Sequence, residues 1–135
     1  MTTHLHSEAL LPSIFTTTVK AFKSGANAIA DNLLMNLIFE LQKNNKEMLE
    51  TLKEIEKEPR KAVEIDTDMF HDSMLYAQDN SKKLLKLTKQ NKDNSDIFNE
   101  VHKITETVYQ TSMTLSINVT TTASEVRYQD RQLAS

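Results

Sequence analysis

The stretch Ala26–Leu41, ANAIADNLLMNLIFEL, constrains the fold more than any other part of the chain. Ala28, Ile29, Ala30, Leu33, Leu34, Met35, Leu37, Ile38, Phe39 and Leu41 are apolar, and after Asn27 only Asp31, Asn32, Asn36 and Glu40 interrupt them. Wound at about 100° per residue, the large side chains reach nearly all round a helix. A helix apolar on one stripe rests on a core, whereas one apolar nearly all round has to be enclosed. A chain of 135 residues has few helices to do the enclosing. Neighbouring copies or a related helical subunit are therefore expected to help, with Ile29, Leu33, Leu34, Leu37, Ile38, Phe39 and Leu41 on the shared interface.

Composition agrees with an all-α fold of three or four helices in one domain, packed as long hairpins or coiled-coil-like pairs. There is one glycine and there are two prolines, too few for a turn-rich β fold or a glycine-lined phosphate loop. The charges sum to 16 − 19 = −3, which does not favour bulk polyanion binding. The absence of cysteine excludes disulfides, thiolate metal sites and cysteine nucleophiles. The start, MTTHLHSEALLPSIF, lacks the basic region and long apolar core of a signal peptide. The longest apolar stretch contains Asp31 and falls short of the roughly 20 residues of a membrane span. The chain is expected in the cytoplasm, touching membranes only indirectly.

In chain order, residues 1–12 read as a polar lead-in and 13–58 as helices. Ser13 is placed to cap a helix carrying Ile14, Phe15, Val19 and Phe22. Gly25 is placed to end it or to let a neighbour approach closely. A long helix is predicted from Ala26 to about Lys57. Its second half narrows to a stripe of Met48, Leu49, Leu52 and Ile55, and Pro59 stops it. Residues 59–67 read as a connector in which Asp66 or Thr67 caps a helix over 68–90. Asn91–Ser95 signals a turn, and Ser95 caps a last helix over 95–132. Ile97, Val101, Ile104, Val108, Thr111 and Leu115 give that helix an alternating four–three seam. Beyond it two periods compete. Met113, Leu115, Ile117 and Val119 alternate as a strand would, while Val108, Ser112, Leu115, Val119, Ala123 and Val126 recur as a helix. The helical reading is preferred, with Val108, Leu115 and Val119 also expected at an interface.

No motif specifies a chemistry. His4-x-His6 lacks a third metal ligand, and Asp68 with His71 resembles half of a di-metal bundle site without its glutamates. Lys82, Lys83, Lys86, Lys89 and Lys92 form a basic stripe beside Asp66, Asp68, Asp72 and Asp79, which suits a solvated face rather than nucleic acid. Asn118-Val119-Thr120 matches the glycosylation sequon without any signal for secretion. No nucleophile signature such as G-x-S-x-G occurs, so neither an enzyme nor a cofactor is expected. Glu64, Asp66, Asp68, His71 and Asp72 lie within nine residues, and His102 follows Glu100. Packed against a neighbour's charges they would make an interface acid-responsive; alone, the acidic residues suit a helix start.

Thr17–Leu33, TTVKAFKSGANAIADNL, resembles the N-terminal part of the R-body proteins, the Reb or "killing trait" family. That pattern has a T-x-V-K start, a run rich in alanine and methionine, then N-L and an apolar helix tipped with Asn and Gln. Thr17, Val19, Lys20, Ala28, Ala30, Asn32 and Leu33 carry the resemblance, and Val108-Tyr109-Gln110-Thr111 is similar to a later family segment. The family's usual glycine and proline are absent, and its Gln-Gln run is reduced to Gln42-Lys43-Asn44-Asn45. The resemblance implies small subunits that co-assemble into a coiled ribbon in a bacterial cytoplasm. Such a ribbon unrolls on acidification and punctures the membranes of the organism that ingested it. Two readings of function follow: a structural, self-associating polymer subunit, or a small helical binding module such as a chaperone, immunity or antitoxin-like partner.

Overall fold

The computed structural model describes residues 18–19, 31–67 and 70–134. From residue 31 onward the described residues form four α-helices in order: α1 Asp31–Lys57, α2 Arg60–Thr67, α3 Phe70–Asn91 and α4 Asp96–Ala134, with a 3-10 turn at Lys92–Asn94. Thr18 and Val19 are helical and buried. The described residues contain no strand, so the fold is all-α, and Met113–Thr122 lies wholly within α4.

Each boundary has a local cause. The last backbone bond of α1 runs from Glu58 N to Glu54 O at 2.8 Å, after which Pro59 has no N–H to donate and pushes Glu58 out of the helical region. The same proline then opens α2. Its ring presets the backbone for a first helical turn, and Ala62 N donates to Pro59 O at 3.0 Å. The stretch expected to be a connector is thus itself a helix, held down by its buried Ala62 and Ile65. Asp66 and Thr67 correspondingly fall in the last turn of α2 rather than capping α3. The Thr67 hydroxyl donates back to Glu64 O at 3.0 Å. Ser95 does cap α4: its backbone is extended, and its Oγ accepts from Phe98 N at 3.2 Å.

The 39-residue α4, about 58 Å long at 1.5 Å per residue, is the spine on which the other three helices pack. Leu49 of α1 lies by Ile104, whereas Ile55 and Pro59 lie by Asn118 and Val126, so α1 runs parallel to α4. Thr88, late in α3, bonds His102, early in α4, so α3 returns antiparallel. Among the described residues no Cα of α1 comes within 8 Å of one in α3.

Each long helix buries one stripe. In α1 it is Leu34, Leu37, Ile38, Leu41, Asn44, Met48, Thr51 and Ile55; in α3, Phe70, Met74, Ala77, Asn80, Ser81, Leu84 and Thr88. In α4 it is Val101, Thr105, Val108, Ser112, Leu115, Val119, Ala123 and Val126. From Val101 to Val119 the spacing is four, three, four, three, four. Ile97, Ile104 and Thr111 of the expected seam are only half-buried, because Thr105 and Ser112 occupy the inner positions instead. Fully burying each large aliphatic stabilises the fold by about 1.5–3 kcal/mol. Several polar members of the seams bond their own helix. Thr105 Oγ1 donates to Val101 O at 2.6 Å, Thr51 Oγ1 to Glu47 O at 2.9 Å and Ser112 Oγ to Tyr109 O at 2.7 Å. A hydroxyl satisfied in this way presents mainly carbon to its neighbours, so it can sit in an apolar seam at little cost.

Candidate functional site

The residues expected at an assembly interface are for the most part the chain's own core. Leu34, Leu37, Ile38 and Leu41 are buried within the chain, as are Val108, Leu115 and Val119. Leu33 is half-buried, and Ile29 lies outside the described residues. Among the described members only Phe39 faces outward, 60 % exposed, with Met35 one turn before it. The described part of the apolar wrap therefore resolves into a covered stripe and a short open edge. The chain encloses Leu34, Leu37, Ile38 and Leu41 itself, in one core cluster with Val101, Val108 and Leu115 of α4.

The residues expected to respond to acid have different surroundings. Glu64 and Asp72 are exposed; Asp68 and the His71 side chain lie outside the described residues. Asp66, only 14 % exposed at its side chain, instead accepts from Arg127 Nη1 at 2.7 Å. A second arginine pair joins the same helices: Arg60 donates to both carboxylate oxygens of Asp130, at 3.0 and 2.6 Å. Its partner guanidinium, through that hydrogen bond first, holds the Asp130 carboxyl below the ordinary aspartate range. Asp130 and Arg127 stand one turn apart, so α2 is pinned to a single turn of α4.

His102, expected among the acid-responsive groups, lies between two helices. Its ring bridges α3 and α4, with Nδ1 2.8 Å from Thr88 Oγ1 and Nε2 2.8 Å from Glu106 Oε1. Thr88 Oγ1 also bonds Leu84 O at 2.9 Å, so the hydroxyl is shared between the ring and its own helix. A hydroxyl, an imidazole and a carboxylate in a row have the makings of an activated nucleophile. The burial opposes that use, because Thr88 is wholly enclosed and no substrate carbon can reach its oxygen. The row is a structural tie between helices. Sequence reading missed Thr88, which stands 14 positions away on another helix; the His102–Glu106 spacing of four was the one readable signal.

The remaining motifs scatter. His4 and His6 lie outside the described residues, and among the described ones no three metal-ligating side chains stand together. In the lysine stripe, Lys83 pairs with Asp79 at 2.9 Å while Lys82, Lys86 and Lys89 are exposed. Asn118 of the sequon sits on the outer side of α4, its amide donating to Thr114 O at 2.8 Å. No helix among the described residues is long and apolar enough to cross a membrane.

Two surface features remain. A groove of about 510 Å³ lies between the end of α1 and α4, with Leu52, Ile55 and Val126 among its lining and Glu56 and Glu125 beside them. Large apolar side chains also stand exposed on three separate helices: Phe39 on α1, Leu75 on α3 and Ile117 on α4. Comparison with known proteins finds no matching family model, no similar curated protein and no similar solved structure.

Proposed function

We propose that this chain is a structural, self-associating helical subunit without catalytic activity, assembling with copies of itself or with a related helical chain. The observation that carries the reading is the exposure of Phe39, Leu75 and Ile117, each 60 % or more open, on three different helices. Each such side chain that a neighbour covers adds to association. The support has moved from the Leu34–Leu41 stripe, which the chain covers itself, to the outward faces. A pH-responsive ribbon that disrupts membranes is the narrower form of this reading that the R-body resemblance implies.

Light scattering and negative-stain microscopy at neutral and mildly acidic pH test the proposal. Concentration-dependent particles larger than one chain are expected, and a change in their shape on acidification supports the ribbon form. A compact monomer across the micromolar range ends the proposal.

The groove beside Glu56 and Glu125 favours a second reading, a small binding module that takes one helical or extended segment of a partner carrying a basic residue. Co-purification of a single stoichiometric partner, with no larger assemblies of the chain alone, would select it.

A further inference from the structure

The sequence contains Asn-Ser twice, at Asn80-Ser81 and Asn94-Ser95, and Asn-Gly nowhere. The fold puts the two pairs in opposite surroundings. Asn80 and Ser81 are buried inside α3, and the Asn80 amide donates to Tyr76 O at 2.9 Å. Asn94 is exposed, the last residue of the 3-10 turn between α3 and α4. That turn has no side-chain cap bond at Asn91, and the backbone leaves it extended at Ser95, with φ −165° and ψ 159°. The Asn94 amide bonds another side chain, donating to Asn91 Oδ1 at 3.1 Å. A short 3-10 turn has poorer hydrogen-bond geometry than an α-helix and opens locally at little cost.

We propose that Asn94 is a site of spontaneous covalent modification, where the Ser95 backbone nitrogen closes on the Asn94 side chain and converts it to aspartate and isoaspartate. This chemistry is independent of self-association. Solvent base takes the proton of Ser95 N, whose electron pair attacks Asn94 Cγ and forms an N–Cγ bond. The Cγ–Nδ2 bond breaks, and the amide leaves as ammonia with a proton from solvent. Water then opens the resulting succinimide. Addition at Cγ gives an aspartate, and addition at the main-chain carbonyl gives an isoaspartate. A small residue after the asparagine leaves the attacking nitrogen open. Asn32, Asn36 and Asn118 are exposed too, but they lie within helices and bulky Leu33, Leu37 and Val119 follow them. At Asn80 the same attack has to swing Ser81 N out of the middle of α3 and uncover two enclosed side chains. At Asn94 it has only to loosen the end of the turn. Isoaspartate reroutes the main chain through the side-chain carbons, one carbon longer, just before Ser95. Ser95 Oγ accepts from Phe98 N and Ser95 O from Asn99 N, each at 3.2 Å, so the first turn of α4 feels the change.

The full chain, aged in mildly alkaline buffer at body temperature and digested with trypsin, tests the site by mass spectrometry. The two Asn-Ser pairs fall in separate peptides, residues 62–82 and 93–103, and fragmentation separates Asn94 from Asn99. In the folded chain Asn94 should convert at least about tenfold faster than Asn80, giving both aspartyl and isoaspartyl forms. In concentrated urea the two should convert at similar rates. Asn94→Gln should remove the signal from position 94. The isoaspartyl fraction, separated from the parent, should exchange amide hydrogens faster across Phe98–Val101, with the middle of α4 unchanged. Equal conversion of Asn80 and Asn94 in the folded chain, or faster conversion of Asn80, overturns the selection by the fold. A folded chain whose Asn94 stays intact while the urea sample converts overturns the site, as does a chain that converts at neither position in either condition.

Discussion

Arg127 Nη1 donates to Asp66 Oδ2 across 2.7 Å, joining residues 61 positions apart and fixing the short α2 to the spine. Asp66 is the more enclosed of the two, and Arg127 keeps a 40 % exposed side chain. Removing the arginine therefore costs more than an ordinary surface pair would, because the carboxylate stays in place without its cation.

Arg127→Ala is accordingly expected to destabilise the chain by about 1–3 kcal/mol. The loss should be local first. Hydrogen exchange should accelerate across Arg60–Thr67 before it does in the middle of α4, and equal acceleration everywhere would contradict the pinning role.

The Arg60–Asp130 pair gives a pH dependence of known sign. The folded Asp130 carboxyl titrates below its ordinary value because Arg60 hydrogen-bonds it. Its contribution is present above the ordinary aspartate pKa of about 3.9 and is lost as pH falls through the lowered value. Asp130→Asn should thus be less stable than the parent at neutral pH, and the two should converge in strong acid. Both groups are exposed, so high salt should shrink the neutral-pH difference. Urea titrations at the two pH values check it.

Leu37 and Phe39 sit two residues apart on α1 and face opposite environments, one fully buried and one open. Leu37→Ala is expected to cost about 2–5 kcal/mol. Phe39→Ser should fall within about 0.5 kcal/mol of the parent. Chemical denaturation of both variants tests which side of the apolar helix is core.

Ser81 Oγ is buried without a hydrogen-bond partner. Ser81→Ala should therefore be neutral or stabilising by up to about 1 kcal/mol, since it removes a polar atom that has nothing to bond. A thermal melt that drops by several degrees would show that the hydroxyl has a role.

What could be read in the sequence was local chemistry. Ser95 capping α4, Pro59 ending α1 and the helical period through Val126 each depend on a few neighbouring residues. The short helix at Arg60–Thr67 was missed because proline was read only as a stop, and Ala62 and Ile65 alone give too little periodicity to notice. The larger error concerned enclosure. Counting apolar residues made α1 look too greasy for its chain, because Asn44, Thr51 and Thr105 were not counted as seam residues. Thr51 and Thr105 bond their own backbones and so line the core at little cost. The exposed edge at Phe39 depends on which helix flanks which, and one sequence does not say that.

α4 is a single rod that carries both α1 and α3 along its length. Any flexing of α4 near its midpoint therefore has to re-seat both helices together.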